Sequence, residues 1–301
     1  MGVKNKREKK ATRTYVIKLP LNQREAFRDA LLKKGKLVRP LPVTNPYEFF
    51  RVKYGKSIII GYKSGKVVVT REDAKPLILE ILKELKFEPS GYDVIIGSDE
   101  AGKGEWLGPL IIAAVALTPE GMLALRAEGV MDSKELEHRR IEEMSKMIKK
   151  LALDFEVVMI TPRRFNKLLK ELWEDNGNLN DLLAWGHARA IDSVYKKVVK
   201  KKKDASFIIL IDEFDRLKTE ERLGRIQGLR SIKVIQSPDA EDVMAVAAAG
   251  ILAKSALEAW IDRESEKLSL DLRKISPMDA LKIEEPEAYF KISYLQKMMN
   301  R

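Results

Sequence analysis

The rhythm of hydrophobic and polar positions changes along this chain. After a charged opening at residues 4–10, an alternating run predicts a strand over 14–19. Helical spacing then runs from Asn22, placed as an N-cap, to Lys34, with Gly35 as the stop. Three β-like runs follow at 48–54, 57–62 and 66–70. Gly55 and the pair Ser64–Gly65 mark their turns, and Asp73 is placed as the N-cap of a helix over 76–86. The order β-α-β-β-β-α predicts a small α+β domain over residues 1–88, with the linker near Pro89 and Gly91. From residue 92 to 301 the pattern differs. Continuous apolar runs at 94–97, 110–117, 154–161, 207–211 and 232–236 read as buried strands. Helical patterns lie at 163–173 and 179–199, and one apolar nearly all round starts at Pro238 and ends near 266. Strands alternating with helices predict an α/β domain with a mixed sheet.

Composition narrows the chemistry. The 301 residues include no cysteine and only two histidines, His138 and His187. Disulfide frameworks, thiolate zinc sites and cysteine nucleophiles are thereby excluded, and a histidine-based metal cluster is not expected. No apolar run is expected to reach the roughly 18 residues of a membrane span, and no signal peptide is read. A cytoplasmic monomer with no membrane partner is expected. The formal net charge of +11 is unevenly distributed: residues 1–90 hold 22 basic and 9 acidic residues, the remainder 34 and 36. A Lys/Glu-rich solvated surface would explain many charges but not this asymmetry, which favours a polyanion-binding module joined to a nearly neutral domain.

Carboxylates carry the second domain's signal. Asp99 and Glu100 follow an apolar strand and precede glycines 102, 104 and 108; Asp212 ends another apolar strand. Burying unpaired charge is costly, so packing explains these positions poorly. Two strands can deliver such acids side by side at one sheet edge. Oxygen ligands without Cys or His favour Mg²⁺ or Mn²⁺, and clustered carboxylates on a basic protein suit phosphodiester hydrolysis with two metal ions. Glu241, after Ser237-Pro-Asp, is a third contributor or else an acid complementing a helix dipole. His187 reads either as a satisfied core histidine or as a site residue. Trp106 and Trp185 read as packing, Glu258 and Asp215 as acids outside the ligand set.

These stretches together resemble a family. Residues 96–109, Ile-Gly-Ser-Asp-Glu-Ala-Gly-Lys-Gly-Glu-Trp-Leu-Gly-Pro, resemble the first block of the type 2 ribonucleases H, and the Gly-Lys-Gly-Glu variant resembles ribonuclease HIII. Gly129-Val-Met-Asp-Ser-Lys134 is similar to a second block, and 160–166 with 178–187 again resemble HIII. Ile211-Asp-Glu-Phe is similar to the third acidic block. Ala240-Glu241, 29 residues beyond Asp212, is similar to the fourth. Gly250 departs from the Ser usual there, a change expected not to touch a ligand, and the match fades beyond Glu258.

The resemblance implies an RNase H-like mixed sheet with flanking helices. Before it would stand an α+β domain resembling half of the TATA-binding protein, suggested by 61–69. It implies an endonuclease that cuts the RNA strand of RNA/DNA hybrids. Asp99, Glu100, Asp212 and Glu241 would bind two Mg²⁺ or Mn²⁺ ions. Gly102, Lys103 and Gly104 would present backbone amides to the RNA strand, and Ser133 and Lys134 would contact substrate. Lys53, Lys63 and Lys66, near Tyr54 and Tyr62, would form the basic domain's contact surface. The alternatives are HII-like nicking at single ribonucleotides embedded in DNA, or a nucleic-acid-binding protein without catalysis.

Overall fold

The computed structural model describes residues 14–85, 91–130, 138–212, 215–237 and 240–299. The chain divides into two compact units: residues 1–90 with 119–131, and residues 91–118 with 132–301.

The first unit is a five-stranded antiparallel sheet carrying helices on one face. Its strands are β1 (Tyr15–Lys18), β2 (Val38–Pro40), β3 (Glu48–Tyr54), β4 (Ser57–Tyr62) and β5 (Lys66–Val69), in the order β1-β5-β4-β3-β2. Helices α1 (Arg24–Lys33), α2 (Lys75–Glu84) and α3 (Pro119–Ala127) complete it. Alternation along the strands sends Tyr15, Ile17, Val52, Ile59, Val67 and Val69 into a core with Phe27, Leu31, Ile78 and Leu82. Residues 119–131, placed by sequence in the second domain, belong here: Leu123 and Ala127 join this core, Arg126 donates to the Lys18 carbonyl at 2.9 Å, and Lys75 meets Glu128 at 2.5 Å. The edge strand β2 was not legible, because three residues ending in proline carry no alternation. Asn22 is not a cap; a 3-10 turn over Leu21–Gln23 leads into α1.

The second unit has the mixed order β10-β9-β6-β7-β8, built from β6 (Val94–Ala101), β7 (Leu110–Leu117), β8 (Asp154–Ile160), β9 (Phe207–Asp212) and β10 (Lys233–Ser237). β6, β9 and β10 run parallel; β7 and β8 are antiparallel to their neighbours. Helices α4 (His138–Leu151), α5 (Pro162–Glu174), α6 (Leu179–Lys201), α7 (Arg216–Gly224), α8 (Met244–Leu268), α9 (Pro277–Ala280) and α10 (Ile292–Met299) surround it. One sheet face, with Ile96, Ile112, Ala114 and Ile209, packs on Leu183, Ile191 and Val194 of α6. The other face receives α8, which is long and apolar enough by composition to cross a membrane. The expectation of no such run is therefore corrected: 72% of its most apolar window is buried, which accounts for the apolarity.

Glycine sets the closeness of α8 to the sheet. A Cβ at Gly97 would lie 2.1 Å from the Ala245 carbonyl carbon and 2.3 Å from the Val246 nitrogen. Backbone cannot yield as a side-chain tip can. Gly97→Ala should destabilise the second unit by about 1–3 kcal/mol through overpacking, read as a lowered midpoint in urea unfolding; an unchanged midpoint would show that α8 has slack against β6.

Candidate active site

Strand geometry distributes the acids. β6 extends through Ala101, so Asp99 and Glu100 lie within the strand rather than directly after it as expected, and successive side chains point to opposite faces. Asp99 shares the parity of Gly97 and faces α8; Glu100 shares that of Ser98 and faces α6. The parallel register pairs Ser98 with Ile211, and one step further along it brings Asp99 within β6 level with Asp212, the last residue of β9. Asp212 in turn pairs with Ser237 of β10.

Glu100 is held from two sides. Its Oε2 lies 3.2 Å from His187 Nε2, and its Oε1 lies 3.2 Å from Lys103 Nζ. His187, fully buried on α6, also places Nδ1 2.7 Å from the Ser98 hydroxyl, which donates its proton to the Ala113 carbonyl at 2.8 Å. With that one proton committed, Ser98 accepts from Nδ1–H, and a second ring proton on Nε2 is what makes His187 a donor to Glu100. A hydrogen-bonded chain thus runs from the β7 backbone through Ser98 and His187 to the carboxylate. Burial pushes the Glu100 carboxyl up, but the hydrogen bond and charge of His187, then Lys103, outweigh it and hold the group at about 2.

Asp99 accepts from the Glu100 amide at 2.7 Å and lies against α8 at a position without a side chain. A Cβ at Gly250 would stand 2.3 Å from Asp99 Oδ2. The departure at 250, expected to leave every ligand untouched, in fact shapes the seat of Asp99. Glu241 lies in a 3-10 turn, Ala240–Asp242, that packs beside β9 and precedes α8, which begins only at Met244. It is therefore not at the start of the α-helix as expected, and its side chain lies outside the described residues, as do Ser133 and Lys134. Among the described residues, no three acidic or histidine side chains are gathered closely enough to hold an ion by themselves. The acids that β6 and β9 carry at this end of the sheet offer carboxylate oxygens, the donor chemistry of a hard divalent cation.

Beyond Ala101 the chain turns through residues 102–109. Gly102 has φ +81°, and a Cβ there would lie 2.3 Å from the Pro109 carbonyl oxygen, so only glycine fits the turn. Lys103, Gly104 and Trp106 form one wall of a groove of about 420 Å³, with Tyr294 and Lys297 opposite. In the first unit, Lys53 and Lys66 lie on the strand positions facing away from the core, with Tyr62. Tyr54 does not join them, since it packs against the core. Lys63 sits in the β4–β5 turn, where its carbonyl accepts from Arg24 of α1 at 2.7 Å. Glu258 pairs with Arg273, Lys254 and His138, and Asp215 caps α7.

Three comparisons place the chain among known proteins. The profile of the ribonuclease HII family matches residues 96–279. Ribonuclease HIII of Protochlamydia amoebophila is 33% identical over 225 residues, 71% of this chain and 70% of that protein. Ribonuclease HIII of Chlamydia pneumoniae is 30% identical over 268 residues, 86% of this chain and 85% of its own. Among solved structures, Bst-RNase HIII in complex with Mn²⁺ has the same fold, with a TM-score of 0.61 at 22% identity, covering 95% of this chain and 98% of its own.

Gly250→Ala should move the Asp99 carboxylate while sparing the fold, because the clash is with the tip of a flexible side chain. A loss of about tenfold or more in kcat/KM, equivalent to about 1.4 kcal/mol of transition-state stabilisation, is expected with a thermal midpoint near wild type. Full activity would show that Asp99 is not held against α8.

Proposed function

The chain belongs to the ribonuclease HII family, and on that premise we propose its function in detail: an endonuclease of the HIII kind that hydrolyses the RNA strand of RNA/DNA hybrids using two divalent cations. The observation that supports the site assignment is the β6–β9 register, Ser98 opposite Ile211, whose continuation by one residue is Asp99 and Asp212. Asp99, Glu100, Asp212 and Glu241 would hold the ions. The chemistry that two bound Mg²⁺ or Mn²⁺ ions supply there is an activated water and stabilisation of the leaving 3′ oxygen.

The protein's own residues do the rest. His187 keeps Glu100 oriented and ionised, and the seat at Gly250 fixes Asp99. Residues 102–104 bring backbone amides close to the RNA strand, where a 2′-hydroxyl distinguishes RNA from DNA. Lys103, which touches Glu100, lies within the same turn and is read with Ser133 and Lys134 as a substrate contact. The first unit we read as the domain resembling half of the TATA-binding protein. Its antiparallel sheet with helices on one face supports that reading, and the face away from that core carries Lys53 and Lys66. A cytoplasmic, monomeric enzyme completes the reading, and light scattering in dilute solution checks the monomer.

Asp212→Asn keeps the shape of the side chain and removes the charge that holds a cation. Cleavage should fall about a hundredfold or more, the scale of losing one preorganised stabilising group, while hybrid binding in a gel-shift assay persists. Wild-type-like cleavage by the folded variant would remove Asp212 from the site. In the same assay, a continuous RNA/DNA hybrid should be cut far faster than a duplex with one ribonucleotide; the reverse order favours the HII-like activity, and no cleavage of either by the wild type favours binding alone.

The first unit's role is best tested by substitution. Removing residues 1–90 would strip α3 of the core into which Leu123 and Ala127 pack. Lys53→Ala with Lys66→Ala should weaken hybrid binding at every sequence and flatten the slope of log affinity against log salt by about one unit per lysine, leaving kcat near wild type. An unchanged slope would assign the face another role.

A further inference from the structure

Lys291 is fully buried, yet among the described residues no carboxylate forms an ion pair with it. Its Nζ donates to the backbone carbonyls of Glu105 at 2.9 Å and Gly108 at 2.6 Å, and sits 5.5 Å from the centre of the Phe165 ring. The side chain of Glu105 is turned elsewhere, 3.3 Å from Lys254. Burial pushes the Lys291 amine down to about 7, against the pull of the Glu105 charge. A lysine so placed is expensive to bury, and a methionine would fill the same volume without that cost. Something other than core packing therefore explains the residue.

What it touches supplies the reason. The carbonyls it binds belong to the turn 102–109, which follows Asp99 and Glu100 directly. The turn is bent by glycines at positive φ and lacks a regular ladder to satisfy its carbonyls. The chain around Lys291 binds the same turn along its length. The Lys291 amide donates to the Trp106 carbonyl at 2.7 Å, and the Gly108 amide donates to the Tyr289 carbonyl at 3.0 Å. Leu107 forms a bridge with Phe290, whose ring packs on Trp106 with centroids 5.3 Å apart. Asn166 of α5 anchors this strap on both sides of Lys291. Its Nδ2 donates to the Phe290 carbonyl at 2.9 Å, and its Oδ1 accepts from the Ile292 amide at 3.0 Å.

We propose that Lys291 is a positioning residue for substrate, fixing from behind the glycine turn that meets the RNA strand. The segment 289–292, beyond the stretch where family resemblance is strong, is thereby part of the active site's construction. This rests on the reading that residues 102–104 contact the substrate. The amino group acts on the turn's backbone, so its loss should be felt in substrate affinity before it is felt in the chemistry at the carboxylates.

Lys291→Met keeps the volume and removes the donors. Asn166→Ala loosens the same strap while leaving Lys291 in place, and stands in if the first variant fails to fold. Steady-state cleavage of an RNA/DNA hybrid in Mg²⁺ should show KM raised about tenfold, well inside what a misplacement of about 1 Å can cost, with kcat within about twofold of wild type. Amide hydrogen exchange of the full-length protein should quicken at residues 102–108 and stay as in wild type across β6 and α8. Unchanged KM with unchanged exchange would overturn the role of Lys291. Faster exchange with unchanged KM would overturn the reading of the turn as a substrate contact, and the proposal with it. Equal losses in kcat and in overall thermal stability would reduce Lys291 to a structural residue and likewise overturn it.

Discussion

Everything at the carboxylate site depends on how closely the backbone of α8 lies on β6. Gly97 removes the side chain that would hold them apart beneath Ala245 and Val246, and Gly250 removes the one that would displace Asp99. Two missing side chains on opposite partners let a helix and a strand meet at main-chain distance. In a close-packed interior such an approach is not adjustable, because neighbours fill every alternative. The helix consequently behaves as a wall against which one acid rests. On the other face, α6 supplies a second wall through His187. The adjacent acids Asp99 and Glu100 are thus fixed independently, by packing on one side and by a hydrogen-bonded chain on the other.

The two units divide the electrostatic labour. Carboxylates gathered for cations repel a phosphate backbone until those cations are bound, and the second unit offers no surplus of positive charge against that repulsion. The basic surplus lies in the other unit. A surface of that sign attracts any polyanion, without reference to sequence. In the function proposed above, selection of the scissile strand would fall to the turn after Glu100, and affinity and discrimination would rest on separate residues.

Much of this was legible in the chain, for physical reasons that can be named. The strands 48–54, 57–62 and 110–117 coincide with their apolar runs, because each buries a whole face and ends at a glycine or polar turn. The acids stood out because carboxylates rarely end such runs by chance. The helices α4 and α7 were passed over, as both are rich in charge and bury only a narrow stripe. The assignment of α3 failed for another reason: a helix inserted within the sequence of the other unit shows its own apolar face, not the core that receives it. His187 and Gly250 stood out in the chain without showing what they touch, and Lys291 did not stand out. Each acquires meaning from residues at least 87 positions away, as with Glu100 and His187, and only tertiary structure supplies that.

The order of the strands also governs when the enzyme comes into being. Asp99 and Asp212 meet only through a parallel pairing that closes a loop of more than a hundred residues, an entropic debt met late in folding. The first unit, by contrast, is a meander of neighbouring strands over β2 to β5. Even so, it takes its last core residues from α3, after β7 has been synthesised. On the ribosome the basic sheet can therefore close once residue 131 has emerged, while β9, β10 and α8 are still to be made. In the function proposed above, the nascent chain would acquire a surface for polyanions well before it acquires the means to cut one.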